Sequence, residues 1–308
     1  MESLLSLSFD NISSRDSSKI RKGLRQIEGL LAQICLSRAG SRSPHKRKSS
    51  ALDDKKLQQQ QQQQGSTKQL GELKQDPAFR EFFRLQEGFQ WNVASRLVQS
   101  IDCLLGMGNP SDTDLLILSA LDLLQGVLML HPPSKCLFNR ESHMNLLLDL
   151  LDSMNPPKIQ SQALLVLVAA LIDQPRNTRT FEAIDGLLTV TSLFKSRSTT
   201  KEVKMRSLEF LYFYLMPESP ILPWSHASAP NSAVLQRGGV DHHHRSFTAL
   251  AEHARTHSGD AMEIDEEFLD VDVRSIEDKQ ELLGQYINNV EELVQDLQES
   301  GPFAVSAT

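Results

Sequence analysis

An internal repeat constrains this chain more than any single motif. Between about residues 111 and 216 the sequence matches itself at a shift close to 44. Leu115, Ile159 and Val203 correspond, as do Ser119, Ala163 and Ser207, then Ala120, Leu164 and Leu208, then Leu123, Leu167 and Leu211, and finally Val127, Leu171 and Leu215. A second series, shifted by 43, pairs Pro132 with Pro175, Phe138 with Phe181 and Met144 with Leu187, and extrapolates back to Ile101. In the first series small residues recur at Ser119, Ala163 and Ser207, and large apolar ones at the other positions except Ala120. Each unit reads as a long helix, a proline-containing turn, a short helix and a further amphipathic helix such as 144–151 or 186–194.

Units of about 40 to 47 residues with two or three helices have the size of armadillo and HEAT repeats. Such units stack because one alone cannot bury its apolar face. The expected fold is therefore all-α, an armadillo/HEAT-like helical solenoid with about 44-residue repeats, interrupted by disordered insertions. An irregular helical bundle is the alternative, and no strand alternation competes with either.

The rest of the chain is organised around that block. Ile20, Leu24, Ile27, Leu30, Leu31, Ile34 and Cys35 recur at spacings of three and four, which predicts a helix over about 18–37 in an N-terminal unit 1–37. Residues 38–75, rich in Ser, Lys and Arg with seven consecutive glutamines, cannot bury enough apolar surface to order themselves and read as a disordered insertion. Asp76 before Pro77 reads as an N-cap with proline at the first helical position, opening a repeat domain over 76–217, with helix to about 107 and a break at Gly88. Helix starts are expected at Ser111 and Thr199, each with an acid three residues on. Pro217 stops the last repeat helix, residues 218–270 read as a His- and acid-rich linker, and 271–308 as a C-terminal amphipathic helix spanning about 275–299. Its stripe of Ile276, Leu283, Ile287, Val290, Val294 and Leu297 needs a surface, either the chain's own repeats or a partner helix.

Composition excludes several functions. Thirty-nine acids against thirty-two Lys plus Arg give a net charge of −7 and a pI near 5.7, which disfavours nucleic acid and anionic membranes as partners. The purest apolar run, 163–172, is about half a membrane span, and no signal peptide is evident, so the chain is expected to be neither secreted nor membrane-spanning. Cys35, Cys103 and Cys136 are odd in number and lack CxxC spacing, which excludes a disulfide framework or structural zinc and fits a reducing compartment. A thiol phosphatase needs an arginine six positions after its cysteine, and here those positions hold Ser41, Asn109 and Ser142. No phosphate-cradling glycine loop, GxSxG elbow or HExxH is present, so no catalytic or cofactor residue is assigned. His242, His243, His244, His253 and His257 sit in a Gly/Pro/Ser-rich stretch without rigid elements to fix ligand geometry, and no metal ligand is assigned.

Partner binding remains. Phe79, Phe82, Phe83, Phe89 and Trp91 concentrate the scarce aromatics; they read as core between the first helices, or, if Phe89 and Trp91 are exposed, as a protein-binding hot spot. Arg176, Arg179, Arg197 and Lys201, with Lys195, Lys204 and Arg206, are expected to fall on one side of a stack, as a solvated face or a docking ridge. Ser43 within Ser43-Pro44-His45-Lys46 has the pattern that proline-directed kinases favour, beside Arg38, Arg42, Arg47 and Lys48, and is a phosphorylation candidate. The same cations read more weakly as a nuclear-import patch.

The stretches DPAFREFFRLQEGFQWNVASRLVQSIDCLLGM, LLILSALDLLQGVLMLHPPSKCLFNR, MNLLLDLLD and TFEAIDGLLTVTSLFKSRSTTKEVKMRSLEFLYFYLMPE resemble the cell division control protein 14 family of filamentous fungi, the septation initiation network component. The likeness covers the opening helix and about residues 70–217, and not the glutamine-rich or histidine-rich stretches. A phosphatase family of the same name is excluded by the missing Cys-x5-Arg signature. The resemblance implies a non-catalytic partner of a germinal-centre-type Ser/Thr kinase, cytoplasmic and at the spindle pole body, in the relay that starts ring constriction and septum formation. It brings no catalytic motif and no cofactor. On this reading Arg176 to Arg206, or the Phe89/Trp91 region, docks the kinase and shifts it toward its active state. A helical scaffold for transport or tethering is the alternative, and an enzyme with a cryptic site is the third.

Overall fold

The computed structural model describes residues 1–36, 68, 70–107, 110–218 and 273–291. Every regular element among them is helical: α1 (Glu2–Ile12), α2 (Ser17–Cys35), α3 (Leu70–Leu73), α4 (Pro77–Glu87), α5 (Val93–Leu105), α6 (Pro110–Leu130), α7 (Glu141–Asp149), α8 (Pro157–Leu171), α9 (Pro175–Ala183), α10 (Gly186–Lys195), α11 (Lys201–Tyr214) and α12 (Ile276–Gly284), with 3-10 turns at Phe89–Trp91 and Pro132–Asn139. Local chemistry sets the starts. Asp16 accepts from Ser18 N at 2.8 Å to cap α2, Asp76 accepts from Ala78 N at 2.7 Å to cap α4 ahead of Pro77, and Asn92 accepts from Ser95 N at 2.8 Å to cap α5. Pro157 and Pro175 occupy first-turn positions, where the missing N–H costs nothing. The expected caps shift slightly: Thr200 rather than Thr199 caps α11, and Ser111 lies inside α6.

Four long helices, α2, α6, α8 and α11, pack side by side in that order. They run the same way. Lys135, just past the end of α6, bonds the carbonyl of Ile172, the residue that closes α8, and the ends of α8 and α11 meet around Leu171, Ile172, Tyr214 and Met216. On the other side, Arg21 through Glu28 of α2 lie along Leu115 through Leu123 of α6, with the Glu28 charge acting on Asp122. Behind this row, α1 covers α2, α5 covers α6, α7 and α9 cover α8, and α10 covers α11.

Burial does not follow the shift of 44 read from the sequence. At a shift of 44, Leu115 would match Ile159 and Val203, yet it is 61% exposed while they are 0%. The buried set is Leu116, Ala120, Leu124 and Val127 on α6, then Ile159, Ala163, Leu167 and Ala170 on α8, then Val203, Ser207, Leu211 and Tyr214 on α11, none more than 2% exposed. The first step is therefore 43 and the second 44. The pairs Leu115-Leu116 and Leu123-Leu124 satisfy either register as text, and only packing distinguishes them. A step of 43 also unites the helix with Phe138 and Phe181, both 0% exposed.

Other expectations also change. Lys68 and α3 lie within 38–75 yet belong to the ordered structure. Glu218, placed in the linker, is paired with Arg179. The expected C-terminal helix is interrupted: α12 ends at Gly284, a turn segment spans 285–289, and helix resumes at Val290 and Glu291; residues beyond 291 lie outside the described residues, as do 37–67 and 219–272. A capping box opens α12, with Ser275 Oγ accepting from Asp278 N and Asp278 Oδ2 from Ser275 N, each at 3.1 Å. Its stripe is used internally, since Leu283, Ile287 and Val290 are buried against this chain. Among the described residues α6 is the helix long and apolar enough to cross a bilayer, rather than the 163–172 run. It is packed on three sides by α2, α5 and α8.

A buried polar seam joins successive units. Asn92 Nδ2 donates to Gln86 O at 2.7 Å and Ser134 Oγ at 2.9 Å, and Asn177 Nδ2 donates to Ala170 O at 2.6 Å and Lys135 O at 2.9 Å. His131 Nδ1 hydrogen-bonds Ser134 Oγ at 2.8 Å, its ring edge-on to Phe83 at 4.4 Å.

Two predictions follow from this packing. A Cβ on Gly23 would sit 2.6 Å from Ile12 Cγ2 and 2.8 Å from Ser8 O, whereas one on Gly29 meets nothing within 4 Å. Gly23→Ala should lower stability by about 2 kcal/mol by forcing α1 off α2, and Gly29→Ala should raise it by about 0.5 kcal/mol, read from urea midpoints. Burial holds the His131 imidazole neutral, its pKa down at about 4. The unfolded chain binds that proton near pH 6.5, so stability is full above 6.5 and falls as pH drops toward 4, by on the order of 3 kcal/mol. His131→Gln should flatten that part of the urea-midpoint profile; an unchanged slope would assign it elsewhere.

Candidate functional site

The C-terminal ends of the row form one edge, and lysines close it. Lys68 Nζ donates to Ile34 O of α2 at 2.9 Å and pairs with Asp76. Lys135 Nζ donates to Ile172 O of α8 at 3.0 Å, and Lys279 Nζ to both Tyr214 O and Met216 O of α11 at 2.9 Å. Helix C-termini leave carbonyls unpaired and carry partial negative charge, so an ammonium satisfies both the bonding and the dipole. Lys135 and Lys279 are only 4% and 3% exposed. Burial pulls both ammonium pKa values down, opposed by Asp173 beside Lys135 and Glu218 beside Lys279.

At the α11 end this edge becomes an ionic lock. Glu218 pairs with Arg179 and, at 3.2 Å, with Lys279, and accepts from Arg274 N at 3.1 Å. Glu182 pairs with Arg179 at 3.3 Å and Arg274 at 3.0 Å, and accepts from Tyr214 Oη at 2.7 Å. Burial, then the bond to Glu182, pushes the Tyr214 phenol up. Three cations and two carboxylates, from α9, the segment just past α11, the returning chain and α12 itself, thus clamp α12 onto the row.

The basic residues singled out in the sequence do not form one ridge. Arg179 is committed to the lock. Arg176 lies half-buried in the first turn of α9, at the same end of the row. Lys201 opens α11 and Arg197 precedes it, both exposed, about 20 Å away along the helix. Lys195 bonds Tyr286 O, and Arg206 pairs with Glu209 at 2.7 Å. The aromatic pair also divides: Phe89 is 71% exposed, whereas Trp91 is half-buried with its ring 6.5 Å from that of Phe9. The Arg96 guanidinium stands 5.6 Å from both the Phe9 and Phe89 rings, a cation-π bridge at the surface. Ser43 and the histidine tract lie outside the described residues.

The row's open face was not singled out from the residue pattern. Leu115, Leu118, Asp122, Gln125 and Met129 of α6, Gln162, Leu165 and Val168 of α8, and Met205, Leu208 and Tyr212 of α11 stay outside the core. Gln162 Nε2 donates to Gln125 Oε1 at 2.9 Å across it. Leu115, Met129 and Met205 are 61%, 55% and 49% exposed. The signal for this face is in the one-residue register step, which turns Leu115 outward. Between α2 and α6 the face deepens to a groove of about 440 Å³. Among the described residues no group of three His, Cys, Asp or Glu is placed to hold a metal ion.

Comparison with known proteins places this arrangement. A family model described as cell division control protein 14, SIN component, matches residues 1–303. The cell division control protein 14 of Schizosaccharomyces pombe is 28% identical over 226 residues, covering 71% of this chain and 80% of that protein. No solved structure matches.

Removing the buried ammonium of the lock should detach the C-terminal segment selectively. Lys279→Ala is expected to cost about 3 kcal/mol and to speed amide exchange in 276–284 at least tenfold, with 113–130 unchanged, by hydrogen-exchange mass spectrometry. Arg206→Ala, which breaks an exposed pair, should change stability by less than about 0.5 kcal/mol. Equal effects of the two would contradict the lock.

Proposed function

Because the chain belongs to the cell division control protein 14 family of SIN components, we propose that it is a non-catalytic adaptor of septation, binding a germinal-centre-type Ser/Thr protein kinase. The observation that carries this reading is the open face of α6, α8 and α11, where Leu115, Met129 and Met205 remain exposed beside polar neighbours on a rigidly packed row. Stacked helices with an uncovered, mixed face suit holding a partner in one conformation, a task that needs surface and no reacting group. The armadillo/HEAT-like reading of the row belongs to this proposal, as does action in the cytoplasm and at the spindle pole body. Arg197 and Lys201, exposed at the α11 N-terminus, and Phe89 with Trp91 at the other end of the chain's ordered block are second-rank contact candidates. Arg179 acts in the fold.

Affinity capture from dividing fungal cells tests the proposal. The intact chain should co-purify a germinal-centre-type kinase, and Met129→Glu with Met205→Glu should reduce its recovery at least tenfold while melting and helicity stay unchanged. Both positions are exposed, so the fold tolerates the change. Absence of any such kinase with the intact chain would overturn the adaptor reading, and a transport or tethering assembly in its place would support the other scaffold role. Equal recovery with both forms would remove the site from the open face.

A further inference from the structure

We infer that the groove between α2 and α6 is a docking site for an amphipathic helix of a partner protein that carries carboxylates at one end, an apolar stripe along its length and a basic residue at the other. The groove, about 440 Å³, has Leu24 and Leu116 in its floor and Leu115, Leu118 and Leu123 along its α6 side. Arg21 and Arg25 rim one end, and Glu28 and Asp122 the other. An adjoining hollow of about 310 Å³ shares Arg21 and Arg25 and adds Lys22.

The charges are uncompensated as they stand. Arg21, Lys22 and Arg25 are exposed, and none forms an ion pair with a carboxylate among the described residues. Arg21 and Arg25, four apart on α2, repel one another, as do Lys22 and Arg25, three apart; only Arg25 has an opposite charge, Glu28, at neighbouring helical spacing, and Arg21 has none. At the opposite end Glu28 and Asp122 also repel, and burial together with the Glu28 charge pushes the Asp122 carboxyl up. Arg21 and Glu28 are two helical turns apart, about 10 Å along the axis, so an occupant with an acid and a base at that separation relieves both ends at once. Leucine or phenylalanine side chains between them would cover Leu115, which is 61% exposed among the described residues.

The same features argue against a polyanion. A nucleic acid or an anionic bilayer drawn to Arg21 and Arg25 would bring further negative charge onto Glu28 and Asp122, on a protein of net charge −7. The inference concerns a segment of any parent protein and does not rest on the partner being a kinase.

The test uses the full chain and fluorescein-labelled 18-residue helical peptides in anisotropy titrations. The probe has Glu at one end, Leu at every third or fourth position and Lys at the other; controls replace Leu by Ser or Glu by Lys, and a single-stranded 12-mer DNA and phosphatidylserine vesicles complete the set. The probe should bind saturably, more weakly with rising salt, and at least tenfold more tightly than every control. Arg21→Glu with Arg25→Glu should weaken it at least tenfold, and the Glu-to-Lys peptide should recover affinity on that variant. Ser119→Trp, which fills the groove from an exposed position, should abolish binding with melting unchanged. No saturable binding, equal binding of the Ser peptide, DNA or vesicles, indifference to Ser119→Trp, or no recovery by charge exchange would each overturn the assignment. Peptide binding without kinase capture would leave this site standing and remove only the kinase reading.

Discussion

Lysine ammonium groups set against helix C-terminal carbonyls hold the row together. Lys68, Lys135 and Lys279 each come from a segment outside the helix they cap, so each bond ties two parts of the chain as well as satisfying a helix end. Hydrogen bonds from a charged donor contribute about 1.5 to 3 kcal/mol each, and an uncapped buried carbonyl would cost a comparable amount. The arrangement also fixes where the chain leaves the row and returns. Lys68 N donates to Cys35 O at 3.0 Å, and Arg274 N to Glu218 Oε2 at 3.1 Å, so the stretches between begin and end at one point of the same edge. Their length and composition can then vary without altering the packed helices, which is why the glutamine- and histidine-rich tracts coexist with an ordered core.

Closing that edge leaves the open face as the surface with unmet contacts. The C-terminal end is filled by α12 and its ion pairs, and the back of the row is covered by α1, α5, α7, α9 and α10. What stays uncovered is a strip of half-exposed leucines, methionines and glutamines across α6, α8 and α11, continuing into the groove against α2.

Much of this was legible in the sequence, for identifiable reasons. Apolar spacing gave α2 to within two residues, and Asp76-Pro77 gave the start of α4, because periodicity and caps are local signals. Pro132 and Pro175 gave the turns that open the second 3-10 element and α9, because proline suits a first turn. The register at α6 was not legible, since adjacent leucines at 115–116 and 123–124 fit two helical faces equally. The turn at 285–289 that interrupts the heptad-like stripe was not legible either, since the apolar spacing runs through it. The lock was invisible because Arg179, Glu218 and Arg274 lie 39 and 56 positions apart. Arg179 consequently read as a surface cation, and the basic residues as one ridge, until folding put them at opposite ends of α11.

The most direct test of the platform reading is footprinting of the open face in the assembled complex. Single cysteines at Leu115, Leu165 and Met205, in a chain whose own Cys35, Cys103 and Cys136 are replaced by serine, would be alkylated with and without bound kinase, with a cysteine at the 90% exposed Met154 as reference. Protection of at least tenfold at the three row positions and none at Met154 is the predicted result. Unchanged labelling at all three, with the kinase demonstrably bound, would contradict the account.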